Sequence, residues 1–141
     1  MKTAYVVDAS VAVKWFVPEI HSEHALCLLR KRFDLKAPEL IQAEFGNILW
    51  KKCRAGELYG ITAGEILDSF KRSPLEVRPH GAYLKLAWEL AMKHRQTVYD
   101  SLYLALAMTE KARMVTADRK FFDALAGTPA ERDLLWIEDV S

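Results

Sequence analysis

Four acidic residues stand where a carboxylate serves either as a structural device or as chemistry: Asp8, Glu44, Asp100 and Asp118. Asp8 closes the apolar run Ala4-Tyr5-Val6-Val7 and precedes Ala9, Ser10 and a new apolar period. Asp118 repeats that arrangement, following Met114-Val115-Thr116-Ala117 and preceding Arg119 to Leu125. Asp100 occupies the first turn of a third helical segment, Thr97 to Met108. An aspartate at a helix start accepts hydrogen bonds from free N–H groups and complements the helix dipole, an effect of about 0.3 to 1 kcal/mol. Each aspartate taken singly is therefore open to a capping reading as well as a functional one.

Glu44 has no capping reading. It lies mid-helix, and at 100° per residue it falls inside the apolar stripe of Leu40, Ile41, Phe45, Ile48 and Leu49. An inward carboxylate without a cation costs several kcal/mol to ionise, so Glu44 needs either a salt bridge, for instance to Lys14 or Lys51, or a metal ion. If all four acids meet, two of them about 6 Å apart repel by about 3 kcal/mol at an effective dielectric near 20. Hard divalent ions that prefer oxygen, Mg²⁺ or Mn²⁺, are the natural counter-charge, and such ions suit phosphodiester hydrolysis by activating water and stabilising a leaving oxygen.

The elements that must position these residues follow from period and breakers. The pattern predicts a strand at Ala4–Val7, a helix from Ala9 to Phe16 stopped by Pro18, and a helix from about Ile20 to Arg32 with Ala25, Leu26, Leu29 and Phe33 as its apolar side. A two- or three-residue strand at Leu35–Pro38 leads into a helix running to Arg54, with Gly56 as its stop. Thr62 to Glu65 reads as a capping box for a helix to Arg72, and Leu75–Arg78 as a short strand closed by Pro79. From Gly81 to Arg95, Leu84, Ala87, Trp88, Ala91 and Met92 mark an amphipathic helix. The next helix, through Met108, is apolar almost all round and hence central. Ala112–Thr116 and Leu134–Ile137 complete the strands, and Glu138-Asp139 reads as a solvated tail. Strands alternating with helices imply a parallel sheet covered on both faces, in one domain spanning residues 1–141. In such sheets the carboxyl edge of the strands binds ligands, and the three aspartates belong at that edge.

Composition narrows the function further. A formal net charge of +1 supplies no global field for nucleic acid, so any such binding depends on local cations or metal ions. Two cysteines, Cys27 and Cys53, form no C-x-x-C pair and read as small buried hydrophobes in a reducing, cytoplasmic compartment. His21, His24, His80 and His94 read as solvent-facing, and no segment has the length of a membrane span or a secretory signal. Nucleotide-cradling loops of the G-x-x-x-x-G-K-[ST] or G-x-G-x-x-G type are missing, as is a Ser-His-Asp or Cys-His order.

Val6-Val7-Asp8-Ala9-Ser10, Pro38 through Glu44 to Asn47, Tyr99-Asp100-Ser101-Leu102-Tyr103-Leu104-Ala105 and Val115-Thr116-Ala117-Asp118-Arg119-Lys120-Phe121 together resemble the PIN domain, in particular the VapC-like toxin ribonucleases. The resemblance implies a three-layer α/β/α sandwich around a mostly parallel sheet and a Mg²⁺- or Mn²⁺-dependent endoribonuclease. It also implies a homodimer, inhibited by a cognate antitoxin that covers the active site. On this resemblance Asp8, Glu44, Asp100 and Asp118 match the catalytic, metal-holding acids, and Ser10 and Thr116 match supporting hydroxyls. Asp123, well inside a helix, is a poor fifth acid.

Lys14, Lys51, Lys52, Arg119 and Lys120 are candidates to line an RNA approach, and Trp15 or Tyr99 to stack on a base; the competing reading is solvated charges and core aromatics. An aspartyl phosphatase would want a second Asp where Ser10 stands, and a receiver domain an N-terminal acidic pair that is missing. A non-catalytic PIN-like module, using its acidic pocket to engage a protein partner, is the reading from another class.

Overall fold

The computed structural model describes residues 2–30 and 32–141. Strand β1 (Thr3–Val7) occupies the middle of a five-stranded sheet with β2 (Phe33–Pro38), β3 (Glu76–Arg78), β4 (Arg113–Thr116) and β5 (Leu134–Trp136). Every pairing is parallel and the order is β3-β2-β1-β4-β5. Helices cover both faces. Helices α1 (Ala9–Ala12), α2 (Ser22–Cys27), α3 (Leu40–Arg54) and α4 (Gly60–Lys71) pack on one another, while α5 (Leu84–His94) leans on α6 (Val98–Glu110), which lies across β1, β2 and β4. Helix α7 (Arg119–Leu125) carries the chain toward β5.

The connections decide where chemistry can sit. From β1 the chain steps outward through β2 to β3, then crosses back over α5 and α6 to β4 on the other side of β1. The order in which the chain adds strands therefore reverses between β1 and β4, and a crevice opens at the carboxyl ends of those strands. Val7 is in register with Val115, so the residues that follow, Asp8 and Thr116 to Asp118, leave the sheet side by side. Helix α3 starts two residues after β2, and α6 ends three residues before β4, so the N-terminal turns of both helices lie at the same edge.

The core is a single apolar cluster on both sides of the sheet. Val6, Val7, Phe45, Leu104, Leu106 and Met114 are among its fully buried members, with Phe45 stacked on Phe70 at 4.0 Å. Helix α6 is buried continuously from Ser101 to Ala107, as an all-round apolar helix requires.

Several elements depart from the sequence reading. Beyond Ala12 the first helix tightens into a 3-10 turn, Val13–Trp15, in which Lys14 is buried as well as Trp15, the latter on the apolar side that the helical period gives it with Ala12 and Phe16. Trp15 is buried with its indole N–H donating to the Ala25 carbonyl at 2.8 Å, which removes it as a base-stacking candidate. The expected Ile20–Arg32 helix spans only Ser22–Cys27, and its covered residues are Ala25 and Leu28 while Leu26 and Leu29 face outward; Lys31 lies outside the described residues. Strand β2 is six residues rather than two or three, because Phe33 extends β1 pairing back to Thr3.

Helix α4 begins at Gly60 with Tyr59 as its N-cap, so Thr62 sits inside the first turn and forms no capping box. On α5, Ala87, Leu90 and Ala91 face the core, whereas Leu84, Trp88 and Met92 are 50%, 55% and 66% exposed. Cys27 and Cys53 are free but half-buried, and all four histidines are half-buried rather than solvent-facing. Residues Ile137–Asp139 form a 3-10 turn in which Glu138 accepts from the Trp136 indole at 2.9 Å, so the acidic tail is not simply solvated. Among the described residues, no helix is long and apolar enough to cross a membrane.

Candidate functional site

A cleft of about 210 Å³ at the β1/β4 reversal is walled by Asp8, Ala9, Ser10, Glu44, Asn47, Ile48, Lys51, Asp100, Tyr103 and Asp118. All four acids named from sequence thus share one hollow, although they arise from β1, α3, α6 and β4, far apart in the chain. A second hollow, about 290 Å³, lies beside Lys2, Phe33 and Glu76 and gathers no comparable group of acids.

Asp8 is the most enclosed of the four, at 7% exposure. It caps α1, its Oδ1 accepting from the Val11 N–H at 3.1 Å and from the Ser10 hydroxyl at 2.6 Å. Its Oδ2 accepts from the Thr116 hydroxyl, also at 2.6 Å. Capping and chemistry are therefore not exclusive here. Ser10 Oγ in turn accepts from the Ala117 N–H and Thr116 Oγ1 from the Asp118 N–H, which fastens the ends of β1 and β4 together through the Asp8 carboxylate. Burial pushes the Asp8 carboxyl up to about 6 despite these three hydrogen bonds, and the charge of Asp100 adds to the rise.

Glu44 projects from the second turn of α3 and is half-buried. Neither lysine proposed from sequence neutralises it. Lys14 is turned away to Glu19 at 3.0 Å, and Lys51 lines the cleft without closing on Glu44. The partner is instead the Tyr103 hydroxyl, which donates to Oε1 at 2.5 Å. Burial raises the Glu44 carboxyl, the Tyr103 bond partly restrains it, and Asp100 raises it again. Tyr103 is itself buried, and burial followed by the Glu44 charge drives its phenol far above the ordinary range, so it stays a donor at any working pH.

Asp100 sits in the first turn of α6, its backbone N–H capped by the Thr97 hydroxyl at 3.0 Å. Burial and then the charge of Asp118 hold its carboxyl above the ordinary value. Asp118 caps α7 through the Phe121 N–H at 3.1 Å and is the most exposed of the four.

Two residues of the cleft carry no role in the sequence reading, Tyr103 and Asn47. Tyr103 stands three residues after Asp100, on the same side of α6, and a tyrosine buried in an otherwise apolar helix needs a partner for its hydroxyl. Asn47 stands three residues after Glu44 on α3 by the same rule. Of the five basic candidates, Lys51 alone is a wall of the cleft. Lys14 and Lys52 both bind Glu19 at 3.0 Å, and Arg119 lies 3.8 Å over Trp136 and pairs with Asp123 at 3.5 Å. That pairing gives Asp123 a place on the outer side of α7, away from the cleft.

The donor set fits a hard divalent cation. It offers carboxylate oxygens only, and three of the four carboxyls are held above their ordinary values by burial and by one another, which is the signature of negative charge lacking its counter-ion. Among the described residues, no group of three or more histidine, cysteine, aspartate or glutamate side chains stands close enough together to hold a metal ion as the chain places them. The cleft is open, and Mg²⁺ suits such a site because it keeps several waters and takes few protein ligands.

Comparison with known proteins bears on this geometry. The PIN domain family model matches residues 5–127, which takes in all four acids. Ribonuclease VapC3 of Pyrobaculum aerophilum is 37% identical over 117 residues, 82% of this chain and 89% of that protein. Among solved structures, PAE2754 from Pyrobaculum aerophilum superposes with a TM-score of 0.71 at 26% identity, covering 98% of this chain and 93% of the other. A chain of a toxin-antitoxin complex from Klebsiella pneumoniae superposes at 0.64 with 12% identity, covering 93% and 95%, a likeness of fold.

Proposed function

This chain belongs to the PIN domain family, and from that premise we propose that it is a Mg²⁺- or Mn²⁺-dependent endoribonuclease, the toxin of a toxin-antitoxin pair, whose active site is the acidic cleft. The observation that carries the reading is the meeting of Asp8, Glu44, Asp100 and Asp118 in one hollow, three of them with raised carboxyls and none in an ion pair among the described residues. A divalent ion held by these four residues would supply the positive charge that activates water and stabilises the oxygens of a phosphodiester under attack.

The chain's own residues do the positioning. Ser10 and Thr116 each donate to one oxygen of Asp8, and Val11 adds a backbone donor, so the carboxylate presents its remaining lone pairs in one fixed orientation. Tyr103 occupies Oε1 of Glu44, a wall residue of the cleft, and leaves Oε2 without a hydrogen bond among the described residues. Asn47 and Lys51 stand on the α3 wall as neutral and cationic contacts for phosphate oxygens. The test is cleavage of single-stranded RNA by the purified protein with Mn²⁺, with and without excess EDTA. Cleavage abolished by EDTA is expected, and cleavage indifferent to it overturns the mechanism.

The partners are part of the same proposal. A cognate antitoxin protein is supported by the fold shared with a chain of a toxin-antitoxin complex, and it would act by covering the cleft. For a homodimer, α5 offers Leu84, Trp88 and Met92, spaced by four residues and uncovered in the single chain, beside a hollow that reaches Val98. Light scattering on the parent and on Trp88→Glu checks this: a dimer that falls to monomer in the variant is expected, and a monomeric parent at micromolar concentration removes the proposal.

A further inference from the structure

The wall of the cleft formed by α3 does not end at Lys51. Glu44, Asn47, Ile48 and Lys51 follow one another at three- and four-residue spacing along its cleft side, and Arg54 continues the row one turn further. Beside Arg54 stands Trp50, 55% exposed, with the Arg54 guanidinium 5.3 Å from the ring centroid. An indole left in water beside a cation, on the helix that walls a charged cleft, presents a broad aromatic face next to a positive charge.

We propose that the C-terminal half of α3 is a subsite for single-stranded RNA, with Lys51 pairing a phosphate next to the reacting bond, Trp50 stacking on a base beyond it, and Arg54 pairing the phosphate of that nucleotide. The inference rests on the ribonuclease reading for the identity of the polyanion. Charge complementarity supports that occupant. A polyanion approaches four carboxylates only where cations line its path, and Lys51 and Arg54 have no ion pair among the described residues. The neighbouring Lys52 is committed to Glu19 at 3.0 Å, so the cations facing away from the cleft and toward it are separated by use as well as by helical phase.

Complementing the helix dipole accounts for basic residues in the last turns of α3, but not for an exposed tryptophan among them. Stacking planes interleaved with cations are how proteins hold single strands without reading their sequence. From Glu44 to Arg54 the helix rises about 15 Å, room for a few nucleotides outside the cleft.

Steady-state cleavage by the parent, Trp50→Ala and Arg54→Glu, on a long single-stranded oligoribonucleotide and on a dinucleotide that ends within the cleft, tests the subsite. Both positions are exposed, and unchanged melting temperatures will certify the fold. On the long substrate KM should rise about tenfold in each variant with kcat within about twofold. The salt dependence of kcat/KM should become shallower for Arg54→Glu as a phosphate contact is lost. The dinucleotide should be cut by all three alike. An unchanged KM on the long substrate overturns the subsite and leaves Trp50 and Arg54 to a protein partner; an equal rise on the dinucleotide overturns it too. Should the parent cleave neither RNA, tryptophan fluorescence with the oligoribonucleotide in EDTA still decides: quenching that Trp50→Ala abolishes supports the subsite, and no quenching overturns it.

Discussion

The segment after β1 and the helix α3 build two charged clusters together, and the clusters are opposites. In one, Asp8 from the first segment and Glu44 from α3 meet Asp100 and Asp118, and among the described residues none of the four has an ion pair, Lys51 lining the cleft without closing on any of them. In the other, Lys14 from the first segment and Lys52 from α3 close on the two oxygens of Glu19, each at 3.0 Å. Asp8 and Lys14 are equally enclosed, at 7% exposure. Burial works against ionisation of Glu19 as it does for Asp8, yet the hydrogen bonds and charges of the two lysines bring its carboxyl below the ordinary value. Asp8, hydrogen-bonded but without a cation, goes up to about 6. Hydrogen bonds alone do not make a buried carboxylate comfortable; an opposite charge does. One cluster is balanced by its own lysines as the chain folds, and the other is left with its negative charge uncompensated.

Replacing one carboxylate in each cluster should sharpen that contrast, and the largest effect belongs to Asp8. Asp8→Asn keeps the cap and the shape but removes charge, and RNA cleavage should fall by at least on the order of 100-fold. Stability should move the other way. The folded-state pKa of Asp8, about 6, lies above its ordinary 3.8, so the folded protein keeps a proton that the unfolded chain has released. The stabilisation is complete below about pH 4 and is lost as pH rises through 6, a change on the order of 3 kcal/mol. Glu44 and Asp100 act in the same direction. Without metal, the parent should therefore lose stability from pH 4 to 7 more steeply than Asp8→Asn in urea titrations. Millimolar Mn²⁺ at neutral pH should raise the melting temperature of the parent and do so less in the variant. Equal metal shifts in both would break the contrast.

Glu19→Gln should show the opposite pattern. It leaves two lysines facing each other, one of them almost fully enclosed, and should cost about 2 kcal/mol at neutral pH, a fall of about 6 °C in melting temperature for a chain of this size. The folded carboxyl is depressed, so its stabilisation is present above the ordinary 4.5 and is lost as pH falls below it. The difference between parent and Glu19→Gln should narrow in acid, and the melting response to Mn²⁺ should be unchanged. A response that disappears would tie the two clusters into one.

The meeting of the four acids is legible in the chain because each carries a local oddity: Asp8 and Asp118 stand where strand turns to helix, Asp100 stands in the first turn of an otherwise apolar helix, and Glu44 stands inside an apolar stripe. The parallel sheet is legible from alternation, although the order of its strands, and with it the crevice between β1 and β4, is settled by crossovers that no local pattern encodes. Trp15 is read correctly as part of the apolar side with Ala12 and Phe16, but Lys14 escapes, because charge marks it for solvent while the 3-10 turn after Ala12 buries it beside Glu19. Trp88 and Met92 escape because apolarity marks a face without saying what covers it. Tyr103 escapes because its ring belongs to the core, and only its hydroxyl belongs to the cleft.

That hydroxyl supplies the smallest of the three effects. Tyr103→Phe leaves the ring in place among its buried neighbours and removes one oxygen, so packing is preserved and the Glu44 carboxylate alone loses its donor. The short bond restrains the rise of the Glu44 carboxyl that burial causes, and without it Glu44 should hold its proton more firmly and present its free oxygen in more than one orientation. A cation then meets a ligand that must be both deprotonated and turned into place, and removing such an orienting contact lowers metal affinity by about 10- to 100-fold in known sites. The Mn²⁺ concentration for half-maximal melting shift should rise by about tenfold, at the lower end of that range because Asp8 keeps its own hydroxyl partners. Cleavage at saturating Mn²⁺ should recover most of the parent rate, which Asp8→Asn cannot do. A variant whose metal requirement matches the parent would mean that Glu44 is held by the α3 backbone alone, and Tyr103 would then belong with the core.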